Sequence, residues 1–370
     1  MKVNVKDAKS GPELQQVTLN SELSKESVQT AWLTKQWGTG KELFDTYQQT
    51  ISQWFDGQIP PETVCFAPSY LYVIQQLVKL TSSEDSHVLT LSSHLHEVEA
   101  ALVSTGRVVT NFAINFHEEN VVIDWKALEE QLALAETKVL LLSQPHLPTG
   151  HLWTHEELSL LSELCCKHRV WVISDETGSD LSFSDFESWA YVADNPFWAV
   201  VGSPSQAACF TSIPEAYVAI ADYNVKRAFQ SDLDLIYGFH FPETLGVYSH
   251  IHAYGQESTW LQSTLSQLRS QHKYVADRIN QTYPELAYRV PPSGYMVWLD
   301  LSALSVDLSK LTEILEQQFG QDVLYISHLV YAAEQADGIA INVSCTEQEL
   351  KDKMDAIIGA LGILSVMSYE

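Results

Sequence analysis

The residues that most constrain the fold are 139–183, VLLLSQPHLPTGHLWTHEELSLLSELCCKHRVWVISDETGSDLSF. An apolar strand (139–142) leads through a Pro/Gly turn (144–150) into a helix and then a second apolar strand (170–173), which ends on Ser174, Asp175 and Glu176. The helix carries its own start signal. Thr154 and, three residues on, Glu157 predict a capping box ahead of Leu158, Leu161 and Leu164 or Cys165. Strand, helix and strand within about 35 residues make a βαβ unit, which requires a parallel sheet. Ligands of such sheets lie at the carboxyl ends of the strands, where Asp175 stands.

The same alternation extends in both directions. Helical spacing of Phe44, Tyr47, Ile51 and Trp54 or Phe55 predicts a helix over 42–55 with one buried face. Strands follow over 64–66, 88–91, 108–112 and 198–201, with an apolar run at 216–221. Helices are expected over 69–80, 97–103 and 125–134. Strands this apolar imply a mixed, mainly parallel sheet sandwiched by helices. Beyond about residue 245 long helices dominate (258–283, 308–319, 347–361), with strands at 295–299, 323–326 and 339–343. The reading is an N-terminal arm (1–45), a large α/β domain (46–245) and a smaller α+β C-terminal domain (246–370) that packs with the arm. The cleft would lie between the two domains.

With 370 residues and 45% hydrophobic content, the chain suffices for two such cores. Its formal net charge of -26 argues against nucleic acid or an anionic membrane as partner, because both are bound through basic groups. No apolar run approaches the roughly 20 residues of a membrane span, and the first residues lack a signal-peptide layout, so the cytoplasm is expected. Five cysteines (Cys65, Cys165, Cys166, Cys209, Cys345), none in a CxxC pair, fit buried thiols in a reducing compartment.

Residues 143–183 resemble the fold-type I pyridoxal-phosphate (PLP) enzymes, in the branch of aminotransferase-like C-S lyases that includes cystathionine β-lyases. The resemblance also covers FAPSYLYVIQQL (66–77), PELAYRVPPSGYMVWLDL (284–301) and IAINVSC (339–345). It implies a PLP-transferase-like large domain, a homodimer and PLP as cofactor. Asp175 matches the carboxylate that pairs with the pyridine nitrogen and keeps the ring an electron sink. Ser69, Tyr70, Ser203 and Ser205 match positions around the phosphate, where helix-terminal N–H groups and hydroxyls bind an anion. Ser69 as a plain helix cap is the competing reading.

The remaining positions depart from the family's pattern. Gln206 stands where the Schiff-base lysine belongs, and no lysine lies between Lys167 and Lys226. A primary amine is needed there as nucleophile and as base, and an amide serves as neither. Leu147 replaces the asparagine that resembles the donor to the phenolic oxygen. Leu95 replaces the ring-stacking aromatic, and Gly178 the histidine or tyrosine after the S-D-E motif. Ala340 replaces the arginine that would fork onto a substrate carboxylate, which a methyl group cannot mimic. His328 and Ala332 replace two loop glycines.

These losses point to a degenerate, non-catalytic homologue that acts as a binding or partner protein. It would be a homodimer, or a structural subunit beside an active paralogue. The alternative is an aminotransferase or C-S lyase with residual or altered activity, using PLP or pyridoxamine phosphate held non-covalently; phosphate alone is a third occupant. The pairs His94-x-His96 and His250-x-His252 have the spacing of strand ligands for a metal, but no third ligand is identifiable. His94 would instead line the cavity or sit on the surface. Cys209 has no activating base in the sequence, and Cys165-Cys166-Lys167-His168 reads as helix core with a C-terminal dipole partner.

Overall fold

The structure is a computed structural model that describes residues 40–91, 96–117, 120–147, 149–205, 214–238, 244–255, 259–286, 288–319 and 338–367. The arm over 1–39, the strand expected at 323–326, and His94, Leu95, Gln206, Cys209, His328 and Ala332 lie outside the described residues.

In chain order the elements are α1 (Gly40–Trp54), β1 (Val64–Ala67), α2 (Tyr70–Thr81), β2 (His87–Leu91), α3 (His96–Val103), β3 (Val108–Phe112), β4 (Asn115–His117), β5 (Asn120–Val122), α4 (Trp125–Leu132) and β6 (Thr137–Ser143). Next come α5 (His155–His168), β7 (Trp171–Asp175), α6 (Trp189–Val192), β8 (Trp198–Gly202), β9 (Ala216–Ile220), α7 (Tyr223–Ile236) and α8 (Thr244–Gly255). The chain closes with α9 (Thr259–Thr282), β10 (Met296–Asp300), α10 (Leu308–Phe319), β11 (Gly338–Asn342) and α11 (Glu347–Met367).

Seven strands form one sheet in the order β1-β9-β8-β7-β6-β2-β3. Only β9 runs against the other six; β3, β2, β6, β7 and β8 are mutually parallel. Alternation at period two sends successive side chains to opposite faces, and both faces are dry. Leu140, Leu142, Val172, Val200 and Tyr217 feed a core covered by α1, α4, α5 and α8. Val139, Leu141, Ile173, Val201 and Val218 feed the other, covered by α2, α3 and α7. The expectation of a mixed, mainly parallel sheet between helices is met. A further core wraps the antiparallel pair β10–β11 with α9, α10 and α11, and it takes Leu181 from the loop after β7. The last helix of the large sheet's core is α8, whose Val247 and Tyr254 pack there.

The capping box is present. Thr154 Oγ1 accepts from Glu157 N–H at 3.2 Å, and the Glu157 carboxylate accepts from Thr154 N–H at 2.8 Å. The helix ends on Arg169 in the left-handed region, at φ 55°, before β7 begins. Four features lack a counterpart in the sequence reading: the β4–β5 hairpin, the short α6, α7 and α8. The last of these overturns the strand reading of His250 and His252. On α8, two residues apart means about 200° around the axis. His250 is fully buried against Phe66, Tyr47 and Tyr254, so the pair does not converge on a metal. Among the described residues, no group of three or more His, Cys, Asp or Glu side chains is placed to hold one. Nor is any helix among them long and apolar enough to cross a membrane.

Removing the Thr154 hydroxyl leaves a first-turn N–H without its cap, which lowers stability by about 1 kcal/mol. Thr154→Ala should therefore shift the urea midpoint, followed by far-UV circular dichroism, to lower concentration with little change in slope.

Candidate functional site

The parallel register fixes where the site lies. Asp175, the last residue of β7, sits beside Ser143 of β6 and Val201 of β8, so its side chain leaves the sheet at the shared carboxyl edge. The backbone there is well anchored: Gln144 N–H donates to Asp175 O at 2.8 Å and Glu176 N–H to Val201 O at 2.7 Å. Asp175 Oδ1 accepts from Thr177 N–H at 3.1 Å and from the Thr177 hydroxyl at 2.7 Å. Burial raises the pKa of this carboxyl above its ordinary value, against the lowering effect of those two bonds.

Three further groups complete the polar floor. The Tyr70 hydroxyl, at the start of α2, donates to Glu97 of α3 at 3.5 Å. Burial, then Asp175, Glu97 and Tyr295, all push the Tyr70 phenol up. Burial and Glu97 do the same to Tyr295, just ahead of β10. The neighbours that shift these two phenols are thus all acidic. Asp175 and Tyr70, both singled out from sequence, lie near one another, with Glu97 and Tyr295, which were not singled out, beside Tyr70.

Two of the serines bond the backbone through their hydroxyls. Ser69 caps α2 by accepting from Tyr72 N–H at 3.2 Å. Ser203, 2% exposed, donates to Glu215 O at 2.7 Å and accepts from Ser205 N–H at 3.3 Å. Both hydroxyls are engaged by the protein's own backbone.

Leu147 and Ala340 belong to one apolar cluster. Leu147, in the loop after β6, packs against buried Met296 and Ala340 together with Tyr295 and Trp298. Gly150 closes that loop at φ +68°, and a Cβ there would sit 2.2 Å from Ser293 O and 2.9 Å from Pro291 Cβ. Glycine is required both for the turn and for this approach. Gly178, by contrast, has room: a Cβ would lie 3.7 Å from Pro145.

Behind the crevice, two buried acids were not foreseen. Glu176, 1% exposed, accepts on Oε1 from the Ser174 and Ser188 hydroxyls (3.0 Å each) and from Trp189 N–H at 2.9 Å. Burial nevertheless pushes it up to about 8. Asp180 accepts from the Tyr254 hydroxyl at 3.3 Å and is pushed up, again by burial, to about 7. The only sequence signal for Glu176 was its place in the S-D-E motif.

A model of the family described as aminotransferase class I and II matches residues 40–357. The chain belongs to that family. Over 323 residues it is 30% identical to Protein MalY of Escherichia coli, covering 86% of this chain and 82% of that protein. It is 22% identical to the cystathionine beta-lyase PatB of Bacillus subtilis, over 82% of this chain and 79% of PatB. Among solved structures, the PLP-bound C-S lyase of Staphylococcus hominis matches with a TM-score of 0.75 at 20% identity, over 85% of this chain and 82% of that one. Cystalysin from Treponema denticola, which contains pyridoxal 5'-phosphate, matches with a TM-score of 0.77 at 17% identity, over 86% and 82% of the two chains. The expected C-S lyase branch of fold-type I is thereby met.

The buried acids set a pH dependence. Carboxyls raised in the folded state lose stability as pH climbs from their unfolded values, near 4, through their folded ones. His146 and His250, lowered by burial to about 3, act oppositely but only below about 6.5. Between about pH 6.5 and 8 the acids act in the same sense as His155, whose pKa Glu187 raises, so the midpoint of urea unfolding should fall across that window. Glu176→Gln, which keeps the Oε1 acceptor, should flatten the fall.

Proposed function

We propose that this chain is a non-catalytic member of the aminotransferase and C-S lyase family, acting as a binding or partner protein in the cytoplasm. It works as a homodimer or beside an active paralogue, with the large domain over 46–245 and the small one over 246–370. The observation that carries the reading is the absence of any lysine between Lys167 and Lys226, which removes both the nucleophile and the base of the family's chemistry. The apolar cluster that holds Leu147 and Ala340 supports it, since neither the ring's phenolic oxygen nor a substrate carboxylate finds a partner on those two side chains.

Asp175, in place at the end of β7, favours one second reading: PLP or pyridoxamine phosphate held without a covalent bond and supporting residual activity. Bound PLP supplies an electron sink. Asp175 would then hold a proton on the ring nitrogen.

Borohydride reduction of the purified chain with added PLP should leave no pyridoxyl label in the crevice. No pyruvate or ammonia should appear from L-cystathionine. A label on a crevice lysine, or turnover, would sink the proposal. Gln206→Lys alone should stay at least about 100-fold below a working lyase, because a base by itself accounts for roughly 10²- to 10⁴-fold. Near-family turnover from that single change would show that the other losses do not matter.

A further inference from the structure

The loop after β7 is gripped by both cores at neighbouring residues. Ser179–Leu181 form a short turn of 3-10 helix, closed by Leu181 N–H to Gly178 O and Ser182 N–H to Ser179 O, each at 3.1 Å. Consecutive side chains leave such a turn about 120° apart. Asp180 thus reaches the large sheet's core, where Oδ2 accepts from the Tyr254 hydroxyl of α8 at 3.3 Å, while Leu181, 4% exposed, enters the core around β10 and β11. Just beyond, Phe183 N–H donates to Pro292 O at 2.8 Å and Gly294 N–H to Leu181 O at 3.0 Å. From α9, His272 Nε2 donates to Gly294 O at 3.0 Å, and Arg269 donates to Phe183 O and lies 5.5 Å from the centre of its ring.

The pocket on the Asp180 side is built of aromatic rings. Tyr254 stands 5.6 Å from Tyr217 of β9, 4.9 Å from Trp54 of α1 and 6.1 Å from His250 between ring centres. Tyr47 of α1, Tyr191 of α6 and Glu176 are the other titratable groups that act on Tyr217. None of these is a cation near neutral pH, since burial lowers His250 to about 3. Segments 206–213 and 239–243, which lead into β9 and α8, contain no lysine or arginine. Among the described residues, Asp180 Oδ1 is buried with no hydrogen-bond partner. A neutral acid is tolerated in such a place and a carboxylate is costly, because Tyr254 and Ser179 alone favour the charge. Burial accordingly pushes the Asp180 pKa up to about 7.

We propose that Asp180 is the proton-operated catch of this loop: neutral, it seats among the tyrosines and holds the loop after β7 against residues 292–294; ionised, with its proton given to water, it leaves the pocket and the loop lets go. The same loop begins at Asp175 and Thr177, so its release frees one border of the crevice. The catch works whether or not the chain is catalytic, and so goes beyond the function proposed above. His272, lowered by burial to about 4, stays neutral over the range in which the catch operates.

Amide hydrogen exchange of the full chain, measured by mass spectrometry at single-residue resolution and corrected for the intrinsic effect of pH, tests the catch. A group raised when seated stabilises the seated state below its free pKa, and that stabilisation is lost as pH climbs through the seated value. With a free value of about 3.9 and a seated one of about 7, opening rises roughly 10-fold between about pH 6 and 8. Protection of the Phe183 and Gly294 amides should fall by that factor, and that of Leu140 and Leu142 in β6 by less. Asp180→Asn should abolish the extra fall, whereas Glu176→Gln should leave it in place. Tyr254→Phe, which removes a bond that lowers the Asp180 pKa, should steepen the fall between about pH 7 and 8. Constant protection in the wild-type chain, a fall that persists in Asp180→Asn, or one abolished by Glu176→Gln would each overturn the proposal. Should Asp180→Asn fail to fold, an unaltered profile in Tyr254→Phe overturns it instead.

Discussion

Glu176 Oε1 accepts three hydrogen bonds at once, two from hydroxyls and one from a backbone N–H, and so ties the end of β7 to the start of α6. This carboxyl is 1% exposed, and burial favours its neutral form. A neutral acid still accepts on one oxygen while the proton resides on the other, which suits Oε2, for which the described residues offer no partner. Asp175 owes its position to this anchor. The strand ends where it does because the next side chain turns inward and is held.

How much of this was legible depended on how local the cause was. The β6–α5–β7 unit could be read because the strands, capping box and turn each rest on residues a few positions apart. Helix α8 was missed because TLGVYSHIHAYG is apolar nearly all round and mixes glycine with β-branched and aromatic residues, so its period is hidden. Its burial between α1 and the sheet explains the composition: a helix enclosed on several sides has no polar face to display. Helix α7 did carry a start signal, Asp222 accepting from Val225 N–H, between residues that look like a strand exit.

The site divides in the same way. Asp175 was legible from its place after an apolar strand and from the resemblance around it. Tyr295 and Glu97 were not: Glu97 reaches Tyr70 through the packing of α3 on α2, and Tyr295 only when the segment ahead of β10 folds over the carboxyl edge of the large sheet. The hydroxyls of Ser69 and Ser203 illustrate the opposite difficulty. A serine at a helix start or strand exit satisfies the backbone as readily as a ligand, and sequence alone does not say which.

Packing explains why Leu147 and Ala340 belong together. At position 340, where the resemblance implies an arginine, alanine takes less volume, and a void in a closely packed contact forfeits both transfer energy and dispersion. Leucine in the facing loop fills that space, where asparagine would have brought an amide needing partners. Restoring arginine at position 340 alone would bury a charge, at a residue 3% exposed, against Leu147 and Met296, with no carboxylate brought by a substrate to meet it. Restoring asparagine at 147 alone would place an unpaired amide against a methyl group. Leu147 and Ala340, far apart in sequence, thus belong to one apolar cluster.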